Sequence, residues 1–104
     1  MVRLLTAVAL FSGAGLAAGA FAQDRAPNAG RNLAAACANC HGTNGVSRPG
    51  MPGLAGRDRT ALVQQLQDFK AGRRPATVMH QIAKGYTDEQ IDAIAAYLSA
   101  QKAN

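Results

Sequence analysis

A run of five residues, Cys-Ala-Asn-Cys-His at positions 37–41, constrains this chain more than any other feature. Cys37 and Cys40 are the only cysteines, and a histidine directly follows the second one. A four-ligand zinc site needs more ligands than the isolated His80 can add, and a redox disulfide leaves His41 unexplained. The Cys-x-x-Cys-His pattern instead predicts the covalent attachment of one haem c.

Each residue of this motif has its own task in such a site. The two cysteine sulfurs lie one helical turn apart, so both can form thioether bonds to one edge of a porphyrin. His41 leaves the same face and can bind the iron as the proximal ligand. Cys37, Cys40 and His41 are therefore predicted cofactor-binding residues.

The opposite face of the iron also needs a ligand, which decides between electron transfer and chemistry on a bound small molecule. Met51 lies only ten residues after His41, whereas Met79 follows a proline-broken segment between two apolar helices. We predict Met79 as the second iron ligand, with His80 or a vacant position as alternatives. Helix geometry turns His80 away from the ring, so we expect it to face solvent and assign it no role.

The first 22 residues have the composition of an export signal. Arg3 supplies a positive start, residues 4–20 are small or apolar, and Ala-Phe-Ala at 20–22 fits a cleavage site. We expect cleavage near Ala22/Gln23, a periplasmic location, and a mature single domain over residues 23–104 without a stable membrane span. An uncleaved anchor is the alternative, because the apolar run approaches the ~20 residues that cross a bilayer.

The charge balance is moderately basic. Eleven Lys and Arg against six Asp and Glu give a formal net charge of +5, including Arg3 of the leader. This excess favours docking to an acidic protein surface. The basic residues are scattered without interleaved aromatics, so we predict no nucleic-acid binding. Arg73 and Arg74 are equally compatible with pairing to a haem propionate and with solvation.

The mature chain contains several helical patterns and no convincing strand, which predicts an all-α domain. Residues 42–56 hold five glycines and two prolines, a composition that favours a loop. The helical segments are, in order, a helix from an Asn28 cap to Cys37, one from an Asp58 cap to Lys70, a short one over 77–84, and one opened by a Thr87–Gln90 capping box.

Three motifs resemble those of class I cytochromes c of the cytochrome c4 and c553 type. They are Cys-x-x-Cys-His-Gly at 37–42, Pro-x-Leu-x-Gly at 52–56 and Met-His-Gln-Ile-Ala at 79–83, and the likeness covers residues 28–101. The resemblance implies the class I cytochrome c fold, with about four short helices wrapped around one covalently bound haem. It also supports Met79 as a ligand.

The resemblance assigns further roles. It implies that the Pro52 carbonyl accepts a hydrogen bond from Nδ1–H of His41, and that Leu54 packs on the porphyrin. It also implies that the first and last helices cross, with Gly30 permitting the close approach of Tyr97.

A narrower likeness concerns residues 51–56 and 74–86. These segments resemble the haem subunit of flavocytochrome c sulfide dehydrogenases, in which an FAD-containing subunit oxidises sulfide and passes electrons to the cytochrome. One haem motif limits this likeness to a single-haem form of that assembly.

Together these patterns predict an electron carrier without catalytic residues, cycling between Fe(III) and Fe(II). Its partners would be redox proteins, with an FAD-containing sulfide dehydrogenase subunit as one candidate. A freely diffusing cytochrome that shuttles between respiratory complexes is the alternative. A peroxidase or gas-binding protein needs an open iron position, and a dithiol oxidoreductase would show no visible absorption.

Overall fold

The computed structural model describes residues 27–103, and this part of the chain contains helices and turns but no strand. The predicted leader at 1–22 and its cleavage near Ala22/Gln23 lie outside the described residues. None of the described helices combines the length and the apolar character needed to cross a bilayer.

Five α-helical segments follow one another, and the first two form one run. A 3₁₀ turn over Ala35–Cys37 joins them, and its flanking residues keep right-handed helical dihedral angles. The prediction of an all-α domain with about four short helices is confirmed for the described residues. The segments are α1 (Ala29–Ala34), α2 (Ala38–His41), α3 (Arg59–Lys70), α4 (Met79–Lys84) and α5 (Asp88–Ser99).

Side-chain caps fix the starts of the two longest helices. At α3, the carboxylate of Asp58 accepts a hydrogen bond from the backbone N–H of Ala61 at 2.9 Å. At α5, Thr87 and Gln90 exchange side-chain and backbone hydrogen bonds of 3.1 and 2.9 Å, which form the predicted capping box. Both predicted starts are confirmed, because a cap satisfies backbone N–H groups that have no partner inside the helix.

The other two helices differ from their predictions at the amino-terminal end. Asn28 occupies the position before α1, but its side chain makes no capping hydrogen bond. The helix expected over 77–84 begins later, at Met79, because the backbone of Val78 (φ −131°) is not yet helical. Short helices depend on tertiary packing for their stability, so their first residues are poorly defined by sequence.

Helix α5 lies at the centre of the fold and packs against α1 and α3, while α4 packs against α3. The buried apolar stripe of α5 carries most of the core. Its members are at most 2% exposed: Ile91, Ile94, Ala95 and Leu98. Leu62 of α3 and Ala34 of α1 join this cluster from either side.

The crossing of α1 and α5 depends on Gly30. A Cβ atom at this position would overlap the carbonyl oxygen of Ala93 and lie 3.1 Å from Cβ of Tyr97. The close approach to Tyr97 is confirmed, and the Ala93 carbonyl is the nearer neighbour. Only glycine lets the two backbones come this close.

Candidate haem site

The helical run α1–α2 delivers the cysteine motif to the edge of the core. Cys37 lies in the 3₁₀ turn and packs against the core, whereas Cys40 lies on α2 and is exposed. Burial raises the pKa of the Cys37 thiol, partly opposed by a backbone hydrogen bond. One sulfur is thus held at the apolar edge and the other faces outwards.

His41 is buried, with 8% of its surface exposed, and its Nδ1 atom lies 2.8 Å from the carbonyl oxygen of Pro52. A carbonyl oxygen can only accept a hydrogen bond, so Nδ1 must carry the proton. In the neutral imidazole, the lone pair of Nε2 is then the one that can bind a metal. The contact that the resemblance implied between His41 and Pro52 is therefore present.

The loop after His41 folds back to bring Pro52 beside the imidazole. Gly42 starts the reversal at φ +83°, and a Cβ atom there would collide with the carbonyl oxygen of Val46. The carbonyl oxygen of Gly45 then accepts hydrogen bonds from the backbone N–H groups of Leu54 (2.8 Å) and Ala55 (3.0 Å). These bonds hold the two ends of the loop together with Pro52 between them.

Leu54 is half-buried and packs against the central cluster of α5. Its backbone N–H is one of the two that bind Gly45. The structure therefore places Leu54 in the same loop as Pro52. Its expected contact with a porphyrin stays a prediction.

Helix α4 and the residue before it present an apolar face that the rest of the described residues leave uncovered. Val78 is 55% exposed and Ile82 is 40% exposed, and Met79 shares the helix face of Ile82 three residues away. On the packed side of the helix, Ala83 is fully buried. A large, flat apolar group on the uncovered face would remove these side chains from water.

The expectation that His80 faces solvent is wrong. Its Nδ1 atom is buried and has no hydrogen-bond partner among the described residues. His80 as a whole is half-buried, on a helix that packs against α3. The sequence showed only that the side chains of His80 and Met79 point in different directions. The packing of α4 in the fold decided the surroundings of His80.

Arg73 and Arg74 both have partners within the protein. Arg73 donates from Nε to the Asp68 carboxylate at 3.0 Å, and the guanidinium of Arg74 lies 5.3 Å from the ring centroid of Phe69. A hydrogen bond from Gln64, then that from Arg73, lowers the pKa of Asp68. The sequence offered propionate pairing or solvation for both arginines. The structure adds these local partners, and pairing to a propionate stays a prediction.

The sequence did not indicate any role for Asn44. It adopts a left-handed conformation (φ 54°), and its side-chain oxygen accepts a hydrogen bond from the Tyr97 hydroxyl at 2.6 Å. The Asn-Gly dipeptide directly after the motif was a possible signal, because asparagine tolerates this conformation. Its partner lies 53 residues away, so only the tertiary structure reveals it.

Comparison with known proteins identifies the family. The family model for cytochrome c matches residues 27–102. The chain belongs to the cytochrome c family. A solved cytochrome c4 of Acidithiobacillus ferrooxidans superimposes on this cytochrome with a TM-score of 0.60 and 45% identity, covering 62% of this chain and 38% of that one. The predicted class I cytochrome c fold is confirmed.

Curated relatives share sequence with about two thirds of this chain or slightly more. The cytochrome subunit of sulfide dehydrogenase from Chlorobaculum tepidum is 46% identical over 68 residues, which cover 65% of this chain and 62% of that protein. The thiosulfate dehydrogenase electron acceptor of Stutzerimonas stutzeri is 46% identical, over 71% of this chain and 36% of that protein. Cytochrome c-554(548) of Halomonas halodenitrificans is 37% identical, over 71% of this chain and 94% of that protein. The chain thus spans less than two thirds of the first two relatives.

Family and geometry agree on the cofactor. In a cytochrome c, Cys37 and Cys40 in the Cys-x-x-Cys-His spacing fit one covalently bound haem c. The Nε2 atom of His41, which is the ring nitrogen that Pro52 does not engage, and the uncovered apolar face of α4 suit the same group. The predicted cofactor, one haem c, is confirmed.

Proposed function

We propose that this cytochrome is a periplasmic one-electron carrier in which His41 and Met79 are the two axial ligands of the single haem. The hydrogen bond from Nδ1 of His41 to Pro52 carries the proposal, because it fixes the tautomer that can ligate iron. The haem supplies an iron that takes up and releases one electron. The polypeptide holds its ligands in fixed positions, so that this exchange requires little rearrangement.

Met79 is the better of the ligand candidates on α4. It lies one helical turn before the exposed Ile82, whereas the Nδ1 atom of His80 is buried within the protein. A thioether ligand favours the reduced iron and raises the potential, which suits a carrier. Leu54 completes the proposed site from the loop that carries Pro52.

A carrier is favoured over a peroxidase or gas-binding protein because the face of α4 around Met79 is apolar. Val78 and Ile82 cannot donate hydrogen bonds to a bound oxygen species, and Met79 as a ligand would occupy the position where such a species binds. We expect the reduced protein to bind carbon monoxide slowly or not at all at neutral pH. The variant Met79→Ala should bind it rapidly. Rapid binding to the unaltered protein would refute Met79 as a firm ligand.

We further propose that electrons come from an FAD-containing dehydrogenase of the sulfide dehydrogenase type. Support comes from the relatives, one named as the cytochrome subunit of sulfide dehydrogenase and another as the electron acceptor of thiosulfate dehydrogenase. The excess of basic side chains suits an acidic docking surface. On this proposal the cytochrome relays electrons and takes no part in the sulfur chemistry.

The partner is tested by purifying the tagged, haem-loaded protein from periplasmic extract of its native host at low salt. Flavin absorption beside the haem bands in the eluate supports the dehydrogenase complex. Haem bands alone favour the freely diffusing carrier that shuttles between respiratory complexes. The intact mass of the same sample tests export, since we expect a chain that begins at Gln23 and carries one haem.

A further inference from the structure

We propose that Tyr97 is a positioning residue for the proximal imidazole of His41, acting through Asn44 and the loop that carries Pro52. This inference rests on the proposed function, because it takes His41 as an axial ligand of the haem. Tyr97 lies on α5, outside the motif and the loop, and nothing in the sequence connects it to His41.

The first step is the hydrogen bond between Tyr97 and Asn44. The phenol oxygen lies 2.6 Å from the Asn44 side-chain oxygen, which can only accept, so the tyrosine donates. Asn44 is the only described residue other than glycine with a positive φ, at 54°. A residue in this region needs surrounding structure to hold it there, and the bond from α5 supplies such a constraint.

The second step runs from Asn44 to Pro52 through Gly45. The N–H of Gly45 donates to the carbonyl of Gly42 at 3.0 Å, and its carbonyl accepts from Leu54 and Ala55. Fixing the peptide between Asn44 and Gly45 therefore fixes the segment that follows Pro52. The carbonyl oxygen of Pro52 is the acceptor for Nδ1–H of His41.

The far end of the same loop is also tied to α5. The backbone N–H of Gly56 donates to the carbonyl oxygen of Leu98 at 3.0 Å. Tyr97 and Leu98, which are adjacent on α5, thus hold the start and the end of the loop. Tyr97 also lies at the crossing of α1 and α5, since a Cβ atom placed at Gly30 would lie 3.1 Å from its own Cβ, so the packing of the two helices sets the position of its backbone.

Loss of the hydrogen bond between Tyr97 and Asn44 should affect the reduction potential of the haem as well as the geometry of the loop. A firm hydrogen bond from Nδ1–H increases the basicity of a ligating imidazole, and a more basic ligand stabilises the oxidised metal. Loosening the loop would lengthen the bond to Pro52 and weaken this effect. The reduction potential should then rise, and the Nδ1 proton of His41 should exchange faster with solvent.

The test is a double-mutant cycle on the haem-loaded protein. Tyr97→Phe removes the donor, and Asn44→Gly removes the acceptor while glycine still adopts the left-handed backbone. We expect each variant to raise the reduction potential and to accelerate exchange of the Nδ1 proton, followed by NMR, several-fold. The double variant should go no further than the larger single effect, because both remove one interaction.

Ser99→Ala is the matched control, since its hydroxyl donates within α5 to the carbonyl of Ala96 at 3.0 Å and has no link to the loop. It should change neither the potential nor the exchange rate. If Tyr97→Phe lowers only thermal stability while the potential and exchange stay at control values, Tyr97 has a packing role and the inference fails. Additive effects in the double variant would overturn it as well.

The design separates this inference from the proposed function. NMR and visible spectra of the unaltered protein report whether His41 ligates the iron. If it does not, the proposed axial ligation is wrong and the inference fails with it. If His41 ligates and the variants behave like Ser99→Ala, only the role of Tyr97 is refuted.

Discussion

Lys70, the last residue of α3, donates a hydrogen bond from Nζ to the backbone carbonyl oxygen of Tyr86 at 2.7 Å. The same ammonium lies 3.2 Å from the carboxylate of Asp88, at the start of α5. The contact joins the two ends of the segment 71–85, which includes α4 and Met79. Lys70 thus holds together the two ends of the segment that would supply the second iron ligand.

Replacing Lys70 with methionine should loosen this segment. Met keeps much of the apolar stem but donates no hydrogen bond, so the carbonyl of Tyr86 loses its partner. We expect carbon monoxide to bind the reduced variant several-fold faster than the unaltered protein, because Met79 dissociates more readily. Stopped-flow mixing measures this rate.

Lys84→Met is the matched control for that experiment. Lys84 ends α4, is exposed, and forms none of the ion pairs found in the described residues. Lys84→Met removes one positive charge, as Lys70→Met does, but it leaves the hydrogen bond between Lys70 and the carbonyl oxygen of Tyr86 in place. Equal acceleration in both variants would show that charge, and not closure of the segment, controls the rate.

Gly30→Ala should destabilise the crossing of α1 and α5. The added methyl group overlaps the carbonyl oxygen of Ala93, and backbone on both helices must shift to accept it. Overpacking of this kind costs about 1–3 kcal/mol in the free energy of unfolding. Urea unfolding of the haem-loaded protein gives the value, and the exposed Ala36→Ser on the same helical run should stay within about 0.5 kcal/mol. An unchanged urea midpoint for Gly30→Ala would contradict the packing described.

The ion pair at the start of α5 should make stability depend on acid pH. A hydrogen bond from Gln67 and then the hydrogen bond and charge of Lys70 lower the pKa of Asp88 from its ordinary 3.8. A depressed folded-state pKa means that the stabilisation is complete above pH 3.8 and is lost as pH falls through the lower folded value. The effect should be small, because both carboxylate and ammonium are accessible to water.

Urea midpoints between neutral pH and pH 3 check this expectation. Asp88→Asn should be less stable than the unaltered protein at neutral pH, and the difference should shrink as the solution becomes acidic. High salt should also reduce it, since the charges are screened. A difference that grows towards low pH would contradict the lowered pKa.

His80→Leu should be neutral or stabilising. The imidazole has a buried nitrogen that finds no hydrogen-bond partner in residues 27–103, and an apolar side chain of similar size removes that cost. Thermal unfolding should show an equal or higher midpoint, with an unchanged visible spectrum of the haem. Met79→Leu is the comparison, and it should alter the spectrum strongly. A spectrum changed by His80→Leu and not by Met79→Leu would identify His80 as the ligand.

Local chemistry explains what the sequence by itself determined. The motif at 37–41 specifies covalent haem attachment because sulfur spacing along one helical turn is a property of adjacent residues. The caps at Asp58 and Thr87 act within three residues of themselves, so the starts of α3 and α5 were predictable. The likeness to class I cytochromes c supplied the contact between His41 and Pro52, which spacing alone did not give.

Packing between distant segments decided the rest. The contact between Tyr97 and Asn44 joins residues 53 positions apart, and the burial of the Nδ1 atom of His80 depends on how α4 packs in the fold. Arg74 meets Phe69 because the chain turns at the end of α3. No short sequence pattern indicates these contacts. The free energy of each contact depends on which surfaces the folded backbone brings together, and the packing of the whole core sets that arrangement.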